Sequence, residues 1–599
     1  MKYKSPERQP ISGCLSFLKE NAIVLLGIMI VVFLCMHGLF SIYGFSAFPD
    51  EFGYWAPAAS VLGYDWSNVT SLGSYYSYGY SLILVPILFL FHNSVSAYRF
   101  AILVNMLLQC ASLPIMYRIV TFLFPNIKKD ISRIVAVISI LYPSWVYYTQ
   151  MTMVEGLLNF LFVSYIYLLI RFIEKKTVIR AICIVIISIF MYVVHMRCIG
   201  IIISTFLFFM ILLLRNTRNV FIKMKSIAIA TTVMLVLFMG TFLLKDVIIG
   251  KLYERVPDSV LSWNDYSGIL YRLSKLFSIE GLTRLFKEIC GKMYYLGCAT
   301  YGLGYFGIMG LFAASWDTVR HFKEKKDSNI FIVKSAVFLT CLMQFLVALV
   351  YLIGASDSDN KRLDLFLHGR YIDFFLPILI AVGILELGTC KKIVKRSVII
   401  VIMHVLFMAV SYIVIRDNDT HMSSGHGFTM VGMSHFWEKG ADALPYFFKE
   451  SILMGIVLVG VFALVRLYCH NGKSIWLCII IPIQAVFALN VCDHFVFYNQ
   501  DNIYGDVLLG QMLEDVMEVN AGKELLHIYE GGAQYIEIVQ FVDRDRNIEI
   551  IDGTGKKVSA DRYLNQNTVL IVDMDGPISA VADEYYKNNI TVGHLILFY

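Results

Sequence analysis

Long apolar runs separated by short polar segments dominate the sequence up to residue 492. The first run, Asn21 to Tyr43, has 23 residues, and about 20 apolar residues in a helix cross the core of a bilayer. Similar runs recur along the chain, which predicts a polytopic α-helical membrane protein with about 13 transmembrane helices. The predicted spans are roughly 21–43, 97–121, 131–150, 152–171, 178–195, 197–214, 226–249, 292–314, 330–354, 371–390, 396–416, 445–466 and 474–492.

The distribution of basic residues predicts the orientation of these spans. Lys and Arg cluster in the first 20 residues and in several short loops, which alternate with loops that are long or poor in basic residues. Positive charge in short loops marks the cytoplasmic side of a membrane. We therefore expect a multi-pass plasma-membrane protein with a cytoplasmic N-terminus and an external loop from Gly44 to Tyr78.

One apolar run does not fit the length of a span. Tyr80 to Phe91 has only about 12 residues, which is too short to cross a bilayer, and we interpret it as an interfacial or re-entrant helix. Counting it as a span would invert everything downstream and place the basic loops outside, so the charge rule argues against that alternative.

The last 100 residues have a different pattern, with short apolar strands between helical segments. Strands are predicted at 525–529, 548–551, 569–572 and 595–598, and helices at 533–542 and 579–586. This alternation is typical of a small α/β domain. We therefore divide the chain into a transmembrane domain, 1–497, and an extracytoplasmic α/β domain, 498–599, whose role is left open between acceptor docking and a lid.

The composition supports the membrane assignment and excludes other classes. The chain is 58% hydrophobic and 16% charged, whereas soluble domains are about 25% charged. The net charge of +5 gives no reason to expect a nucleic-acid partner, and we expect none. The 12 Cys residues show no paired CxxC spacing and none follows Cys492, so neither a disulfide framework nor a zinc–thiolate site is expected.

Two adjacent carboxylates, Asp50 and Glu51, begin the candidate chemistry. They follow the first span and lie in the loop 44–78, which contains no Lys or Arg. A carboxylate at a membrane edge, without a cation nearby in sequence, is a candidate general base or ion ligand. The alternative is a polar loop that simply ends a helix.

Four further charged residues are predicted at the same outer face. Arg99 begins the second predicted span, Arg197 lies between two spans, and Arg370 precedes another. Glu155 lies near the turn between the third and fourth spans. Guanidinium groups match phosphate oxygens, so this set suits a lipid phosphate. The alternative for each Arg is that it reaches lipid headgroups as an interfacial anchor.

These residues, in this order, resemble the GT-C superfamily of glycosyltransferases, of the protein O-mannosyltransferase and lipid A aminoarabinose transferase type. The likeness covers most of the first 390 residues in layout. The residues that carry it are Asp50-Glu51 with Tyr54 and Ala58, Tyr75 to Ser81 with Pro86, Ser96 to Arg99, Glu155, and Arg370-Tyr371 with Pro377.

The resemblance implies a polyprenyl-phosphate-linked sugar donor and an acceptor hydroxyl on the outer face of the membrane. It implies Asp50 as the general base of an inverting transfer, and Glu51 as a residue that orients the acceptor or Arg99. Arg99, Arg197 and Arg370, with Tyr371, would stabilise the departing phosphate. The expected partners are therefore the lipid-linked donor, an envelope glycan, lipid or protein acceptor, and membrane lipids. The expected substrate-binding residues are Arg99, Glu155, Arg197, Arg370, Tyr371 and Tyr78.

One feature departs from the aminoarabinose type, and it limits what the resemblance implies about the donor. That type often has a Lys-Pro motif where this chain reads Ser77-Tyr78-Gly79. The phosphate contact of such a Lys is therefore absent or displaced, and the specific sugar does not follow from the resemblance.

A metal site is not expected, although some branches of the superfamily use a divalent ion and this alternative stays open. His421, His426 and His435 lie in one predicted external segment, but their spacing matches no compact metal motif. No cofactor is expected either.

Other function classes predict different patterns. A polytopic transporter or flippase of an envelope lipid or glycan is the main alternative; it would show repeated halves and charges near mid-membrane, whereas these charges cluster at one face. An envelope polymer ligase or polymerase would share the lipid-linked donor but not the early Asp-Glu pair. A non-enzymatic scaffold would need none of these charges.

Overall fold

The computed structural model describes residues 10–214, 220–253, 269–320, 329–353, 363–418, 424–437, 442–468, 474–554, 563–565 and 567–599. A large helical part is followed by a small α/β domain. The helices are α1 Pro10–Met36, α2 Asp50–Leu62, α3 Ser67–Thr70, α4 Ser81–Leu90, α5 Ser94–Leu123, α6 Lys129–Ile140, α7 Pro143–Thr149, α8 Val154–Glu174, α9 Val178–Val194, α10 Ile199–Leu214, α11 Val220–Leu252, α12 Ile269–Ser274, α13 Ile279–Ala299, α14 Leu303–Arg320, α15 Asn329–Tyr351, α16 Leu376–Thr389, α17 Ile393–Asn418, α18 Ala443–Ile452, α19 Leu458–Tyr468, α20 Ile480–Cys492, α21 Tyr498–Val519, α22 Gln534–Val542 and α23 Pro577–Tyr585.

Fewer helices are long enough to span a membrane than the sequence predicts. Within the described ranges there are nine, or up to eleven if each bent helix pair is one span. The predicted count of 13 is therefore not confirmed. Two predicted spans account for the difference between 13 and eleven. The span 178–195 contains α9, a helix of 17 residues, and the span 371–390 contains α16, a helix of 14 residues. Both are shorter than the roughly 20 residues that a perpendicular span needs.

The two bent pairs interrupt predicted spans at identifiable residues. α6 and α7 meet at 56°, and Pro143 is the first residue of α7, where the missing N–H of proline costs no helical hydrogen bond. α13 and α14 meet at 113°. Between them Tyr301 and Gly302 have φ values of 56° and 74°, a left-handed conformation that ends a helix. The predicted span 292–314 lies across this break.

The short apolar run after the loop 44–78 forms α4, a helix of ten residues. α4 packs against α2, and the Ser81 hydroxyl donates a hydrogen bond to the Tyr54 carbonyl oxygen over 2.6 Å. This contact fixes the start of α4 beside the Asp-Glu segment.

The C-terminal domain is built on a five-stranded mixed sheet. Its strands are β1 Glu524–Tyr529, β2 Glu549–Asp552, β3 Thr568–Asp573, β4 Asn589–Val592 and β5 Leu595–Phe598. The order is β2-β1-β3-β5-β4, with β1 parallel to β2 and β3, and β5 antiparallel to β3 and β4. The predicted strands and helices of this domain are present, whereas β4 was not predicted.

The C-terminal domain is attached firmly to the helical part. A continuous helical segment runs from Leu477 to Val519, across the boundary that we drew at residue 498. On the other side, Trp66 Nε1 donates to the Arg544 carbonyl oxygen over 2.9 Å, and the Ser94 hydroxyl donates to the Phe541 carbonyl oxygen over 2.6 Å. The domain therefore lies directly on the segment that contains α2 and α3.

Candidate active site

Four charged side chains from distant parts of the sequence form one ion-pair network: Asp50, Arg370, Glu155 and Arg197. Arg370 donates from Nη1 to Asp50 Oδ2 over 2.8 Å and from Nε to Glu155 Oε1 over 3.0 Å. The same Glu155 oxygen accepts a hydrogen bond from Arg197 Nη2 over 2.7 Å. Each positive group thus lies between or beside negative groups, and charge-assisted contacts of this kind are the strong class of hydrogen bond.

Each member of the network lies at an element boundary. Asp50 is the first residue of α2 and Glu155 lies in the first turn of α8, positions where the free N–H groups of a helix favour negative charge. Arg197 lies in the short turn between α9 and α10. Arg370 lies before α16, and its backbone N–H donates to the Thr429 carbonyl oxygen over 3.3 Å.

Burial increases along the network. The exposed fractions of the side chains are 15% for Asp50, 8% for Arg370, 2% for Glu155 and 1% for Arg197. Asp50 is therefore the member that solvent or a substrate reaches most easily, while the other three groups form a buried support behind it.

Aromatic hydroxyl groups surround the Asp50 end of the network. Burial, and then the carboxylate of Asp50, raise the pKa of Tyr76 well above its ordinary value. Burial, and then the carboxylates of Asp50 and Glu155, raise the pKa of Tyr54. The Tyr54 hydroxyl is buried and has no hydrogen-bond partner within the described part of the chain. Both phenols therefore stay neutral and offer hydrogen bonds beside the carboxylate.

The charge of Arg370 is fixed by its two partners. Burial acts to lower the pKa of this guanidinium, but the carboxylates of Glu155 and Asp50 raise it well above its ordinary value. Arg370 therefore stays positive at every physiological pH.

Glu51 lies in a different environment from its neighbour. Its carboxylate is fully buried and accepts five hydrogen bonds, from the backbone N–H groups of Ser46, Ala47 and Thr152 and the hydroxyls of Tyr98 and Thr152. Burial raises the pKa of Glu51 overall, although these donors act to lower it. With both oxygens occupied by the fold, Glu51 ties the loop before α2 to α5 and to the start of α8.

Arg99 lies outside the ion-pair network. Its Nε donates to the Ile42 carbonyl oxygen over 2.8 Å and its Nη2 to the Phe40 carbonyl oxygen over 2.6 Å. The guanidinium also lies over the rings of Phe40 and Tyr43. These contacts join the end of the first membrane helix to α5, and they do not include Glu51, which was predicted to orient either the acceptor or Arg99.

The two predicted tyrosines have separate positions. The Tyr371 ring lies beneath the Arg197 guanidinium, with 5.3 Å between Arg197 Cζ and the ring centroid, so it is in contact with the network. Tyr78 instead lines a small cavity with Tyr192, Met196 and Lys245. Burial raises the pKa of Tyr78 to about 12.

Sequence reasoning missed two carboxyl groups near the network. Asp373 accepts hydrogen bonds from the Tyr142 and Tyr295 hydroxyls, each over 2.9 Å to Oδ1. Its place three residues after Arg370 was a usable signal, because both lie in one polar segment before α16. The other is Glu537, which lies on α22 of the C-terminal domain and interacts electrostatically with Asp50. No local pattern marks Glu537, since its position depends on how the domains dock.

No group of three or more His, Cys, Asp or Glu side chains that could hold a metal ion occurs in the described part of the chain. Of the three candidate histidines, His421 lies outside the described residues, as does the side chain of His426. His435 is buried, and its Nδ1 lies 2.8 Å from Glu450 Oε1.

Comparison with protein-family models finds no match, and comparison with curated proteins finds none either. The chain is similar to solved structures over nearly its whole length. ArnT from Cupriavidus metallidurans in the apo state has 12% identity and a TM-score of 0.49, covering 97% of this chain and 98% of that chain. The same protein bound to undecaprenyl phosphate has 10% identity and a TM-score of 0.48, covering 96% and 98%. The Archaeoglobus fulgidus oligosaccharyltransferase in the apo form has 11% identity and a TM-score of 0.47, covering 96% and 74%.

Proposed function

We propose that this chain is a membrane glycosyltransferase that moves a sugar from a polyprenyl-phosphate-linked donor to an acceptor hydroxyl on the outer face of the membrane. The observation that carries the proposal is the ion-pair network of Asp50, Arg370, Glu155 and Arg197, in which burial decreases toward Asp50. The order of the Asp-Glu, Glu155 and Arg-Tyr motifs along the chain supports the same reaction class.

In this proposal Asp50 is the general base. Its carboxylate bonds Arg370, and 15% of its side chain stays exposed. A base that must reach a substrate hydroxyl needs such an exposed surface. A positioned base contributes roughly 100- to 10,000-fold to a rate. Glu51 is the poorer candidate for this role, because all its hydrogen-bond capacity is used within the fold.

The reaction is a direct displacement. The acceptor O–H gives its proton to Asp50, the acceptor oxygen forms a bond to the anomeric carbon, and the bond from that carbon to the phosphate oxygen breaks. The polyprenyl phosphate leaves with the electron pair of the broken bond, and the anomeric configuration inverts.

The two arginines stabilise the charge that develops on the phosphate. When Asp50 accepts the proton it becomes neutral, and its pairing with Arg370 weakens. Arg370 Nη1 is then available to the departing phosphate, while Glu155 and Arg197 keep the guanidinium in place. Preorganised positive groups at the site of developing charge are a large source of rate enhancement.

Mass spectrometry of polyprenyl-phosphate sugars tests this function and identifies the donor. Cells that express the wild type, Asp50→Asn or Asp65→Asn at equal levels are compared. Asp65 is the matched control because it lies in the same segment and bonds exposed polar groups, the Ser67 hydroxyl and the Asn547 side-chain amide, which are not members of the ion-pair network. We expect one lipid-linked sugar to accumulate with Asp50→Asn and not with Asp65→Asn.

An unchanged lipid pool with a folded Asp50→Asn protein in the membrane would contradict the proposal. In that case the polytopic transporter or flippase of an envelope lipid or glycan becomes the better explanation.

A further inference from the structure

The C-terminal domain places a carboxyl group at the Asp50 site that the reaction above does not use. Glu537, on α22, is 1% exposed. Neither of its carboxyl oxygens has a hydrogen-bond partner within the described ranges. A buried polar group without a hydrogen-bond partner destabilises the folded state. Because Glu537 is such a group and lies beside the candidate base, a role in binding a ligand would explain its presence.

Glu537 lies close to the start of α2. A Cβ atom built on Gly73 would be 3.8 Å from Glu537 Oε1 and 3.7 Å from Pro49 Cβ. Pro49 directly precedes Asp50, and Glu537 interacts electrostatically with Asp50. The missing side chain at residue 73 therefore leaves space between the C-terminal domain and the segment that holds the base.

The position of Glu537 is fixed by the residue one helical turn further along α22. Residues four apart lie on the same face of a helix, and Phe541 packs on that face against Phe45 and Trp55, with ring centroids 4.8 Å and 5.0 Å apart. The Ser94 hydroxyl also bonds the Phe541 carbonyl oxygen. These contacts dock α22 onto the Asp50 segment.

The surroundings of Glu537 favour the neutral form of its carboxyl group. Burial, and then the negative charge of Asp50, raise the pKa of Glu537 well above its ordinary value. The other titratable groups that interact with it are the phenols Tyr76, Tyr253 and Tyr529. A neutral carboxylic acid has one O–H donor and a carbonyl acceptor, which together match a substrate hydroxyl.

We propose that Glu537 is an acceptor-binding residue, so that the active site is completed by the C-terminal domain. This inference rests on the proposed function, because it takes Asp50 as the base that the acceptor must reach. The donor phosphate lies on the Arg370 and Arg197 side of Asp50, and a neutral, hydroxyl-bearing acceptor lies on the Glu537 side. The negative charge of Asp50, with the neutral acid of Glu537 beside it, favours an uncharged acceptor over an anionic one.

Two substitutions at Glu537 and one matched control test the role. Glu537→Gln keeps a donor and an acceptor at the same place, whereas Glu537→Ala removes both. The control is Glu530→Gln, a glutamate of the same domain that interacts electrostatically with Asp573. In cells with equal amounts of folded protein, we expect Glu537→Ala to slow consumption of the lipid-linked donor about 10-fold, the value of one lost hydrogen bond. We expect a smaller effect for Glu537→Gln and none for Glu530→Gln.

A second measurement needs no substrate. The infrared difference spectrum between purified wild type and Glu537→Gln at neutral pH should contain a carboxylic-acid carbonyl band that belongs to Glu537. A carboxylate signature instead of this band would overturn the assignment of a neutral acid.

The outcomes separate this inference from the proposed function. Accumulation of the donor with Asp50→Asn but not with Glu537→Ala would overturn the inference alone. An unchanged donor pool with Asp50→Asn would overturn both. Equal effects of Glu537→Ala and Glu530→Gln would also overturn it, since they would indicate only a general need for the domain.

Discussion

Asp50 and Glu51 are consecutive residues in the first turn of α2, but their surroundings differ. Asp50 bonds a guanidinium that is itself shared with a second carboxylate, and 15% of its side chain is exposed. Glu51 is enclosed by five neutral donors from the loop before α2, from α5 and from the segment before α8. The Asp50 carboxylate bonds a charged group, whereas the Glu51 carboxylate bonds only neutral N–H and O–H groups.

Helix geometry produces this difference. Successive residues of an α-helix point about 100° apart, so two adjacent side chains in one turn address different neighbours. Two carboxylates that are adjacent in sequence therefore lie in different environments. The occupied oxygens of Glu51 are committed to contacts within the fold, whereas the exposure of Asp50 and its shared guanidinium support the role of base that we propose for it.

The substitution Glu51→Leu should have the largest effect, which is a decrease in the amount of folded protein. This change leaves the Tyr98 and Thr152 hydroxyls and three backbone N–H groups without their acceptor. Each orphaned buried donor costs about 1–3 kcal/mol, so five of them predict a loss of stability of at least about 5 kcal/mol. Fluorescence-detected size-exclusion chromatography of detergent extracts measures it, with Asp50→Asn as the matched neighbour. Equal folded amounts for the two variants would contradict a structural role that Glu51 has and Asp50 lacks.

Glu155→Gln should come next, because it removes the negative charge that joins the two arginines. Both arginines then bond a neutral amide oxygen in place of a carboxylate, and a total weakening of about 1.5–3 kcal/mol predicts a decrease in donor consumption of roughly 10- to 100-fold. Glu174→Gln is the control: it lies on the same helix and pairs with Arg171 at the surface, where ion pairs contribute little. If both variants consume donor at the same rate, the buried network is not part of the reaction.

The carboxyl group of Glu537 predicts a pH dependence of stability. Because its pKa is raised in the folded state, the folded protein binds more protons than the unfolded chain above the ordinary carboxyl pKa. Stability should then fall as pH rises, by up to about 1.4 kcal/mol per pH unit, until the folded pKa is passed. Thermal unfolding of purified protein should therefore show Glu537→Gln gaining stability relative to wild type as pH increases. A difference that does not change with pH would contradict the neutral acid.

The smallest effect is expected for Arg99→Gln. The guanidinium bonds two backbone carbonyl oxygens and stacks on rings near the end of the first membrane helix. We expect a stability loss of about 1 kcal/mol and a smaller change in donor consumption than for Glu155→Gln. If Arg99→Gln lost as much donor consumption as Asp50→Asn at an equal amount of folded protein, Arg99 would have to act in the reaction as first predicted.

The sequence predicted local features well and long-range ones less well. Hydropathy located the long membrane helices, and alternation located β1, β2, β3 and β5. β4 was missed because Asn589-Ile590-Thr591-Val592 has only two strongly apolar residues. The short helices α9 and α16 were predicted as full spans because the apolar run continues beyond the residues where each helix ends.

The same contrast holds for the candidate site. Asp50, Glu155, Arg197 and Arg370 were chosen for their charge and predicted depth, and the structure brings all four together. The separation of Glu51 from Asp50 could not be predicted, because it depends on Thr152 and Tyr98, which lie far away in sequence. Burial of Glu537 depends likewise on the docking of two domains.

Chemical rescue of Asp50→Ala tests most directly whether Asp50 accepts the proton. Membranes from cells that carry this variant are incubated with increasing formate, and consumption of the accumulated lipid-linked sugar is followed by mass spectrometry. We predict that Asp50→Ala is inactive alone and that formate, a small carboxylate base, restores consumption in a concentration-dependent manner, whereas it has no effect on Arg370→Ala. Consumption by Asp50→Ala at the wild-type rate without formate would contradict the account.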